Sequence, residues 1–173
     1  THLINVRIPV LLFDLPAPAG PDGRMPPNAI ALKAIDGLKK LKPAPLGWAA
    51  DAALITPANY QDDLEQLRGC ALIIEAIAER LDFKRDLYQK IAPYVAEGAI
   101  LASNTSGLSI QDLSDALPSA LRQRFCGVHF FNPPRYMRLL EIVPCRETDP
   151  AVVDALAAFI SLRLGKGIVH AKD

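Results

Sequence analysis

Short, continuously apolar runs alternate along this chain with segments in which apolar residues recur every three or four positions. Continuous apolar runs are typical of strands buried on both faces of a sheet, and the longer period is typical of amphipathic helices. The predicted strands cover residues 8–14, 71–76, 99–102, 125–128, 139–143 and 168–171. The predicted helices cover residues 28–42, 62–67, 81–95, 109–117 and 150–164. This alternation predicts an α/β fold with a doubly wound, mostly parallel sheet covered by helices on both faces.

Two neighbouring strands depart from the parallel pattern. Only a short link joins residues 125–128 to residues 139–143, which leaves no room for a crossover helix. We therefore expect these strands to pair antiparallel at one end of the sheet. Residues 1–5 are typical of the last turns of a helix, and a loop rich in proline and glycine is predicted over residues 16–27.

Composition and charge exclude several classes of function. Lys and Arg number 19, Asp and Glu also number 19, and no long run of one sign marks a surface for nucleic acid or for a membrane. Cys70, Cys126 and Cys145 lie far apart without a metal-ligand spacing, so we predict free thiols, no metal and a cytoplasmic location. No apolar run approaches the roughly 20 residues of a membrane helix, and residues 8–13 lack the features of a secretory signal.

Polar clusters stand at the ends of, or inside, several predicted strands. Residues 103–107 (Ser-Asn-Thr-Ser-Gly) follow one strand, residues 129–134 (His-Phe-Phe-Asn-Pro-Pro) follow the next, and Glu141 lies within residues 139–143. Ligands of α/β folds bind at such a rim of the sheet. A serine, a histidine and a carboxylate that meet there are the components of a proton-transfer site.

Each of these residues also has a structural interpretation. A histidine on an apolar strand, such as His129, is typical of a core residue bonded to the backbone, and Ser106 is suited to capping the helix that follows it. Glu141 differs, because an acid within an apolar strand is costly to bury unless it is paired. That cost favours a functional partner for Glu141.

Asp14 ends the first predicted strand, where a doubly wound nucleotide-binding fold holds an adenosine ribose. A carboxylate there accepts hydrogen bonds from the ribose hydroxyls and repels a 2′-phosphate, so it selects NAD over NADP. Aspartate is also common at strand ends because it suits turns. The glycine-rich loop that should precede this strand is missing, since no G-x-G-x-x-G occurs in the sequence. We expect the chain to be truncated at its N-terminus or to lack these residues for another reason.

Taken together and in this order, Asp14, residues 74–79, residues 103–107 and residues 129–134 make the chain resemble the 3-hydroxyacyl-CoA dehydrogenases. More narrowly, the chain resembles the bacterial type that is fused to an enoyl-CoA hydratase half. The resemblance covers essentially the whole length. It implies that residues 1–173 form a Rossmann-like NAD-binding domain that lacks its first strand and glycine-rich loop.

The resemblance implies roles for the polar residues in the NAD-dependent oxidation of (S)-3-hydroxyacyl-CoA to 3-oxoacyl-CoA. His129 would be the general base that takes the proton of the 3-hydroxyl as hydride leaves C3. Glu141 would hold the other ring nitrogen of that histidine, and Ser106 would hydrogen-bond the 3-oxygen. Asn132 would lie on the substrate side of the loop beside the histidine. Such an oxidation needs a base that ionises near neutral pH, which histidine supplies.

The resemblance assigns a further set of residues to the NAD cofactor. Asp14 would hold the adenosine ribose, and Asn104 would lie near the nicotinamide. Glu79 and Lys84 would lie along the cofactor cleft. From the residues alone, Glu79 and Lys84 are equally typical of a solvated pair on a helix.

The resemblance also implies parts of the protein beyond this chain. A helical C-terminal domain should begin just after Asp173 and would complete the acyl-chain pocket and the contacts of a homodimer. Arg7 stands where relatives typically carry glycine, and we expect it to alter only a turn. The full-length protein would then act on acyl-CoA in fatty-acid β-oxidation, whereas this chain alone would be inactive.

Two other functions remain open. One is a catalytically silent binding or scaffold module that keeps only the Rossmann-like sheet. The other is a dehydrogenase of another β-hydroxy acid, in which Arg135 or Arg138 would hold a free carboxylate.

Overall fold

The computed structural model describes residues 1–18 and 25–173 of the chain. These residues divide into two units. Unit 1 comprises residues 1–64 and 132–136, and unit 2 comprises residues 65–131 and 137–173. The loop predicted over residues 16–27 lies partly outside the described residues.

Unit 1 is built around one pair of parallel strands. Its elements are α1 (His2–Asn5), β1 (Val10–Asp14), α2 (Ala29–Leu38), a 3₁₀ helix (Ala49–Leu54) and β2 (Ile55–Asn59). The pairing of β1 with β2 runs from Val10 opposite Ile55 to Asp14 opposite Asn59. Ile4 from α1 and Ile35 from α2 are buried with Ile55 in one apolar cluster, which holds the helices to the strands.

The sequence predicted β1 and the short helix α1 but not β2. Strand β2 reads Ile-Thr-Pro-Ala-Asn, so it carries a single large apolar residue. Its proline, Pro57, cannot donate to a ladder of hydrogen bonds, and such a run does not show the apolar pattern of a strand. The predicted helix over residues 28–42 is shorter in the structure and ends at Leu38.

Arg7 adopts a backbone conformation that normally favours glycine. Its φ is 58°, in the left-handed region, where a non-glycine residue costs roughly 1–2 kcal/mol. It closes the end of α1, since the Arg7 N–H donates to the Ile4 carbonyl at 2.9 Å and the Ile8 N–H donates to the Leu3 carbonyl at 3.1 Å. Arg7 therefore adopts the turn that glycine would form rather than altering it.

Unit 2 holds a five-stranded sheet and its helices. The strands are β3 (Leu72–Glu75), β4 (Ile100–Ser103), β5 (Phe125–Phe130), β6 (Leu139–Pro144) and β7 (Gly167–His170). The helices are α3 (Leu81–Ile91), α4 (Ile110–Asp115), α5 (Ser119–Arg122) and α6 (Pro150–Leu164). The sheet order is β3-β4-β5-β6-β7, with β5 and β6 antiparallel and every other neighbouring pair parallel.

This topology confirms the mostly parallel α/β fold and the antiparallel pair. It corrects two details of the prediction. The antiparallel pair is not at the end of the sheet, because β7 pairs with the far side of β6. The described strands also form two hydrogen-bonded sheets rather than one, because β1 and β2 pair only within unit 1.

Capping residues and a proline set the ends of two helices in unit 2. Helix α6 begins after Asp149, whose carboxylate accepts from the Ala151 N–H at 2.8 Å, and it ends at Gly165, whose φ is 64°. Both ends agree with the prediction. The helix predicted over residues 81–95 instead ends at Ile91, because Pro93 has no N–H to continue it, and a 3₁₀ turn (Ala92–Tyr94) follows.

The segment predicted as an amphipathic helix over residues 62–67 is a 3₁₀ helix, Leu64–Gly69. Among the described residues, no helix is both long enough and apolar enough to cross a membrane. The described residues also contain no group of three or more side chains arranged to hold a metal ion.

Gly127 lets α4 pack directly on the centre of the sheet. A Cβ added at Gly127 would lie 2.7 Å from Ile110 Cδ1 and 3.1 Å from Val143 Cβ. The first contact involves α4 and the second involves β6, so the two strands and the helix leave no space for a methyl group.

We predict that Gly127→Ala lowers the free energy of unfolding by about 1–3 kcal/mol, because the added methyl overpacks this junction. Urea denaturation measures the change. Gly98→Ala is the control, since a Cβ at Gly98 meets nothing within 4 Å. Equal stability of the two variants would contradict the proposed packing constraint.

Candidate active site

The antiparallel register of β5 and β6 places His129 directly opposite Glu141. Opposed residues point to the same face of a sheet, and here His129 Nδ1 lies 2.9 Å from Glu141 Oε2. Since an ionised carboxylate only accepts hydrogen bonds, this contact assigns the proton of the neutral ring to Nδ1. The other ring nitrogen, Nε2, then carries the lone pair that can take a proton.

The surroundings of His129 differ from those of a core histidine. Its side chain is 21% exposed and that of Glu141 is 33% exposed, so both reach solvent. The Phe131 ring packs against the imidazole, with the ring centroids 4.6 Å apart. The side chain is bonded to a carboxylate rather than to the backbone, which argues against the structural interpretation.

Ser106 lies in the loop that follows β4. Several groups of this loop donate hydrogen bonds to one carboxylate oxygen of Glu79. Glu79 Oε1 accepts from Thr105 Oγ1 at 2.5 Å, from Ser106 N at 2.8 Å and from Gly107 N at 3.1 Å. The Ser106 hydroxyl itself is only 3.4 Å from the same oxygen. The backbone of the loop is therefore held firmly, while the hydroxyl makes a long, weak contact.

Ser106 does not cap the helix that follows it. The N-cap of α4 is Ser109, whose Oγ accepts from the Asp112 N–H at 3.2 Å. The structural interpretation of Ser106 as a helix cap is therefore wrong, because the cap lies three residues further along the chain.

One cavity of about 460 Å³ brings the predicted catalytic residues together. Ser106, His129 and Glu141 all line it, so a serine hydroxyl, an imidazole and a carboxylate face the same space. The remaining lining residues are Thr105, Gly107, Leu108, Ser109, Ile110, Val143, Ala171, Lys172 and Asp173. The arrangement suits proton transfer to or from a small polar group held in the cavity.

Asp173, which the sequence did not identify as a site residue, fixes another wall of this cavity. Its carboxylate accepts from Ile110 N at 2.7 Å, from Gln111 N at 2.8 Å and from Ser109 Oγ at 2.9 Å. Although burial alone would raise the pKa of Asp173, these hydrogen bonds lower it below its ordinary value. Its position two residues after a predicted strand gave no signal of this role.

Lys84 lies in the interior of unit 2 rather than on a solvated helix face. Its side chain is fully buried, with Nζ 2.7 Å from Glu75 Oε1 and 3.5 Å from Glu79 Oε2. The alternative of a solvated pair is therefore wrong for Lys84, whereas the Glu79 side chain is 42% exposed. The roles of Glu79 and Lys84 toward the cofactor stay predictions.

Glu75 is a second buried acid, and the sequence did not single it out. It ends the apolar strand β3, and its side chain is 1% exposed. The burial cost that drew attention to Glu141 applies equally to Glu75, so the same signal could have found it. Burial and the charge of Glu75 raise the pKa of Tyr88, whose hydroxyl donates to Glu75 Oε2 at 3.0 Å.

Asn104 connects the ends of three neighbouring strands. Its Oδ1 accepts from the Phe130 N–H of β5 at 3.0 Å, and its own N–H donates to the Glu75 carbonyl of β3 at 2.7 Å. Its position directly after β4 therefore depends on contacts with both neighbours of that strand. The proximity of Asn104 to a nicotinamide stays a prediction.

Asp14 and Asn132 belong to unit 1. Asp14 ends β1, at the carboxyl end of a parallel pair, and its Oδ1 accepts from the Leu15 N–H at 2.7 Å. Asn132 is exposed. The geometry of Asp14 agrees with that of a ribose-binding carboxylate, and the roles of both residues stay predictions.

Glu79 is held in its ionised form by the loop that it organises. Although burial opposes ionisation, the hydrogen bonds from Thr105, Ser106 and Gly107 and the nearby Lys84 ammonium lower its pKa from 4.5 to about 2. A carboxyl group whose pKa is lower in the folded state stabilises the protein above its unfolded pKa. That contribution is lost as the pH falls from about 4.5 to about 2.

We predict that Glu79→Gln flattens the dependence of stability on pH in this acidic window, because the variant has no carboxylate there to protonate. Urea denaturation at a series of pH values measures the slope. Glu65→Gln provides the matched control, since Glu65 is exposed and paired with Arg68 on the surface. A Glu79→Gln curve parallel to that of the unmodified protein would contradict the prediction.

Comparison with known proteins identifies the family of this chain. Residues 30–173 match the family model of the 3-hydroxyacyl-CoA dehydrogenase, NAD binding domain. The chain is 38% identical over 182 residues to a probable 3-hydroxyacyl-CoA dehydrogenase of Bacillus subtilis, a match that covers 99% of this chain and 23% of that protein. It is 43% identical over 171 residues to a putative fatty acid oxidation complex trifunctional enzyme of Rickettsia felis, with the same coverage of 99% and 23%. The chain thus spans about a quarter of the length of these relatives.

The fold agrees with the same assignment. The crystal structure of 3-hydroxybutyryl-CoA dehydrogenase from Escherichia coli matches 99% of this chain and 34% of that chain, with a TM-score of 0.76 and 26% identity. The Rossmann-like fold and NAD as the cofactor, both predicted from the sequence, are confirmed. From the family model and the relatives together, this chain belongs to the family of NAD-binding domains of the 3-hydroxyacyl-CoA dehydrogenases.

Proposed function

We propose that the protein containing this chain oxidises (S)-3-hydroxyacyl-CoA to 3-oxoacyl-CoA with NAD, as a step of fatty-acid β-oxidation. The observation that carries the proposal is the pair of His129 and Glu141, joined at 2.9 Å, facing the same cavity as Ser106. A base oriented by an acid and facing the same cavity as a hydroxyl donor is the minimal arrangement for removing a proton from an alcohol.

His129 takes the proton of the substrate's 3-hydroxyl. When bound, NAD supplies the acceptor for the hydride that leaves C3. The oxygen must lose its proton as the carbon loses hydride, and Nε2 of His129 is the ring nitrogen available for it, since Nδ1 is bonded to Glu141. The Glu141 carboxylate then stabilises the imidazolium that forms and keeps the ring in one orientation.

Ser106 binds the 3-oxygen of the substrate. Its backbone N–H is fixed on Glu79 at 2.8 Å, so the position of the residue is set by the protein. Its hydroxyl contacts Glu79 only at 3.4 Å, and it can therefore turn to a better partner without a large loss of energy. A fixed backbone with an available hydroxyl suits a residue that orients substrate beside a base.

The residues that would hold NAD are those that the resemblance assigned. Asp14, at the carboxyl end of β1, would bind the adenosine ribose and exclude a 2′-phosphate. Glu79 and Lys84 would lie along the cofactor, with Asn104 near its nicotinamide. We assign no residue to the pyrophosphate, because the sequence holds no G-x-G-x-x-G.

A thioester substrate is favoured over a free β-hydroxy acid. A free carboxylate would need a cation, and the sequence offered Arg135 or Arg138 for that purpose. In unit 1, Arg135 Nη1 donates to the carbonyls of Ala44 and Leu46, each at 2.8 Å. This guanidinium is therefore committed to the backbone. Of the two arginines only Arg138 is left for a free carboxylate, which supports acyl-CoA as the substrate.

The remaining parts of the proposal concern the whole protein. We propose a helical domain that follows this one and completes the acyl-chain pocket, a homodimer, and a cytoplasmic location. The free thiols of Cys70, Cys126 and Cys145 suit a reducing compartment. Neither a nucleic acid nor a membrane is part of the proposed activity.

We predict that His129→Gln lowers kcat for the NAD-dependent oxidation of (S)-3-hydroxybutyryl-CoA by about 10²–10⁴-fold, because the general base is lost. Glu141→Gln should lower kcat by a smaller factor, since the base remains but loses its orientation. The rate of NADH formation measures both. His170→Gln is the matched control, because His170 is exposed at the end of β7. Near-normal activity of His129→Gln would overturn the proposal.

Titration with NADH separates the dehydrogenase from a silent scaffold module. We predict saturable binding that weakens at least about tenfold in Asp14→Ala, because the ribose hydroxyls lose their acceptor. Binding of NADPH should be weaker than binding of NADH in the unmodified protein and should approach it in the variant. No detectable affinity for either nucleotide would favour the scaffold function.

A further inference from the structure

Glu75 is surrounded by hydrogen-bond donors in the interior of unit 2. Its Oε1 accepts from Lys84 Nζ at 2.7 Å and from Ile77 N at 2.7 Å, and its Oε2 accepts from Ser103 Oγ at 2.7 Å and from Tyr88 OH at 3.0 Å. The side chains of Glu75 and Lys84 are 1% and 0% exposed. A carboxylate that is so fully paired is fixed in place, and the groups bonded to it are fixed with it.

One chain of contacts leads from Glu75 through Lys84 to the Ser106 loop. Lys84 Nζ bridges the two acids, at 2.7 Å from Glu75 Oε1 and 3.5 Å from Glu79 Oε2. The other oxygen of Glu79 accepts the N–H groups of Ser106 and Gly107. The buried ammonium thus holds Glu79 by one oxygen while the loop is bonded to the other.

A second chain of contacts leads from Glu75 through Ser103. Ser103 Oγ donates to Glu75 Oε2 and accepts from the Thr105 N–H at 3.4 Å. The main-chain carbonyl of Glu75 accepts from the Asn104 N–H at 2.7 Å. Both the side chain and the backbone of Glu75 therefore hold the start of the loop that ends in Ser106.

We infer that Glu75 is a positioning residue for Ser106, acting through Lys84 and Glu79 on one side and through Ser103 on the other. Glu75 does not line the cavity that contains Ser106 and His129, so it acts only through these intermediates. The inference deepens the proposed function and rests on it, since the position of the Ser106 hydroxyl matters where a substrate oxygen binds.

We expect removal of the charge of Glu75 to loosen the loop that holds Ser106. In Glu75→Gln the Lys84 ammonium stays buried with Glu79 as its remaining acid partner at 3.5 Å. A buried cation strongly attracts a partner of opposite charge. Lys84 therefore pulls the Glu79 carboxylate away from the N–H groups of the loop. The loop is then held less firmly, and the Ser106 hydroxyl leaves its productive position.

The test compares Glu75→Gln with the double variant Glu75→Gln/Lys84→Met in the protein that oxidises 3-hydroxybutyryl-CoA. The double variant keeps the volume of the interior and leaves no unpaired buried cation, so it folds even if the single variant does not. In both, we expect amide hydrogen exchange at Ser106 and Gly107 to speed up about 10-fold relative to β4 in the same molecule. We also expect kcat to fall about 10- to 100-fold.

The controls separate positioning from other roles. A lost contact of Lys84 with the cofactor would raise KM for NAD, whereas a displaced Ser106 lowers kcat with KM for NAD unchanged. Glu65→Gln makes the same chemical change at an exposed pair with Arg68 and should alter neither exchange nor kcat.

Two results would overturn the inference. One is exchange at Ser106 and Gly107 at the unmodified rate in the folded variants. The other is full recovery of kcat in the double variant, which would mean that Glu75 serves only to neutralise Lys84. Since exchange needs no turnover, it decides the positioning role even if the unmodified protein fails to oxidise the thioester, and that failure would count against the proposed function alone.

Discussion

The site depends first on the register between β5 and β6. In an antiparallel pair the side chains alternate between faces, so a slip of one residue would carry Glu141 to the face opposite His129. Gly127 lies opposite Val143 two positions before His129, where Ile110 of α4 approaches the strand too closely for any side chain. The packing of α4 on Gly127 thus lies two positions along β5 from the histidine–carboxylate pair, in the same register.

The cavity wall is then built by carboxylates that collect backbone N–H groups. Glu79 holds the segment at Ser106 and Gly107, and Asp173 holds the next segment at Ile110 and Gln111. Consecutive backbone N–H groups that point in one direction need a hydrogen-bond acceptor. A carboxylate provides one and forms charge-assisted hydrogen bonds with them. The loop at Ser106 and the first turn of α4 are held in this way by polar contacts.

The sequence predicted the fold where its signals are local. Apolar runs identified β1 and β3 to β7, and the residues at the ends of α6 fixed its bounds within the sequence. Strand β2 was not predicted, because a proline and a small residue occupy its centre and its burial depends on unit 1 as a whole. Register and sheet order are long-range properties, and only the short link between β5 and β6 made one pairing predictable.

The residues of the candidate site also divide into those that the sequence predicted and those that it did not. Residue types and their order identified Ser106, His129 and Glu141, and the structure brings these side chains to one cavity. The supporting residues Ser109 and Asp173 were not identified, because each acts through a partner that lies far along the chain or through a turn whose geometry the sequence does not give. Glu75 was not singled out either, although its place in an apolar strand gave the same signal as that of Glu141.

Glu75 and Glu141 show why a buried acid alone does not identify a catalytic partner. Glu75 ends an apolar strand and Glu141 lies within one, so the sequence alone does not distinguish them. In the structure, each pairs with a basic side chain. Glu75 is 1% exposed and accepts bonds from donors on both oxygens, whereas Glu141 is 33% exposed and its contact is with the ring that faces the cavity. A saturated acid fixes its surroundings, and an acid with capacity left can stabilise a charge that appears during a reaction. The difference in exposure and in bonding therefore supports the two proposed roles, positioning for Glu75 and stabilisation of an imidazolium for Glu141.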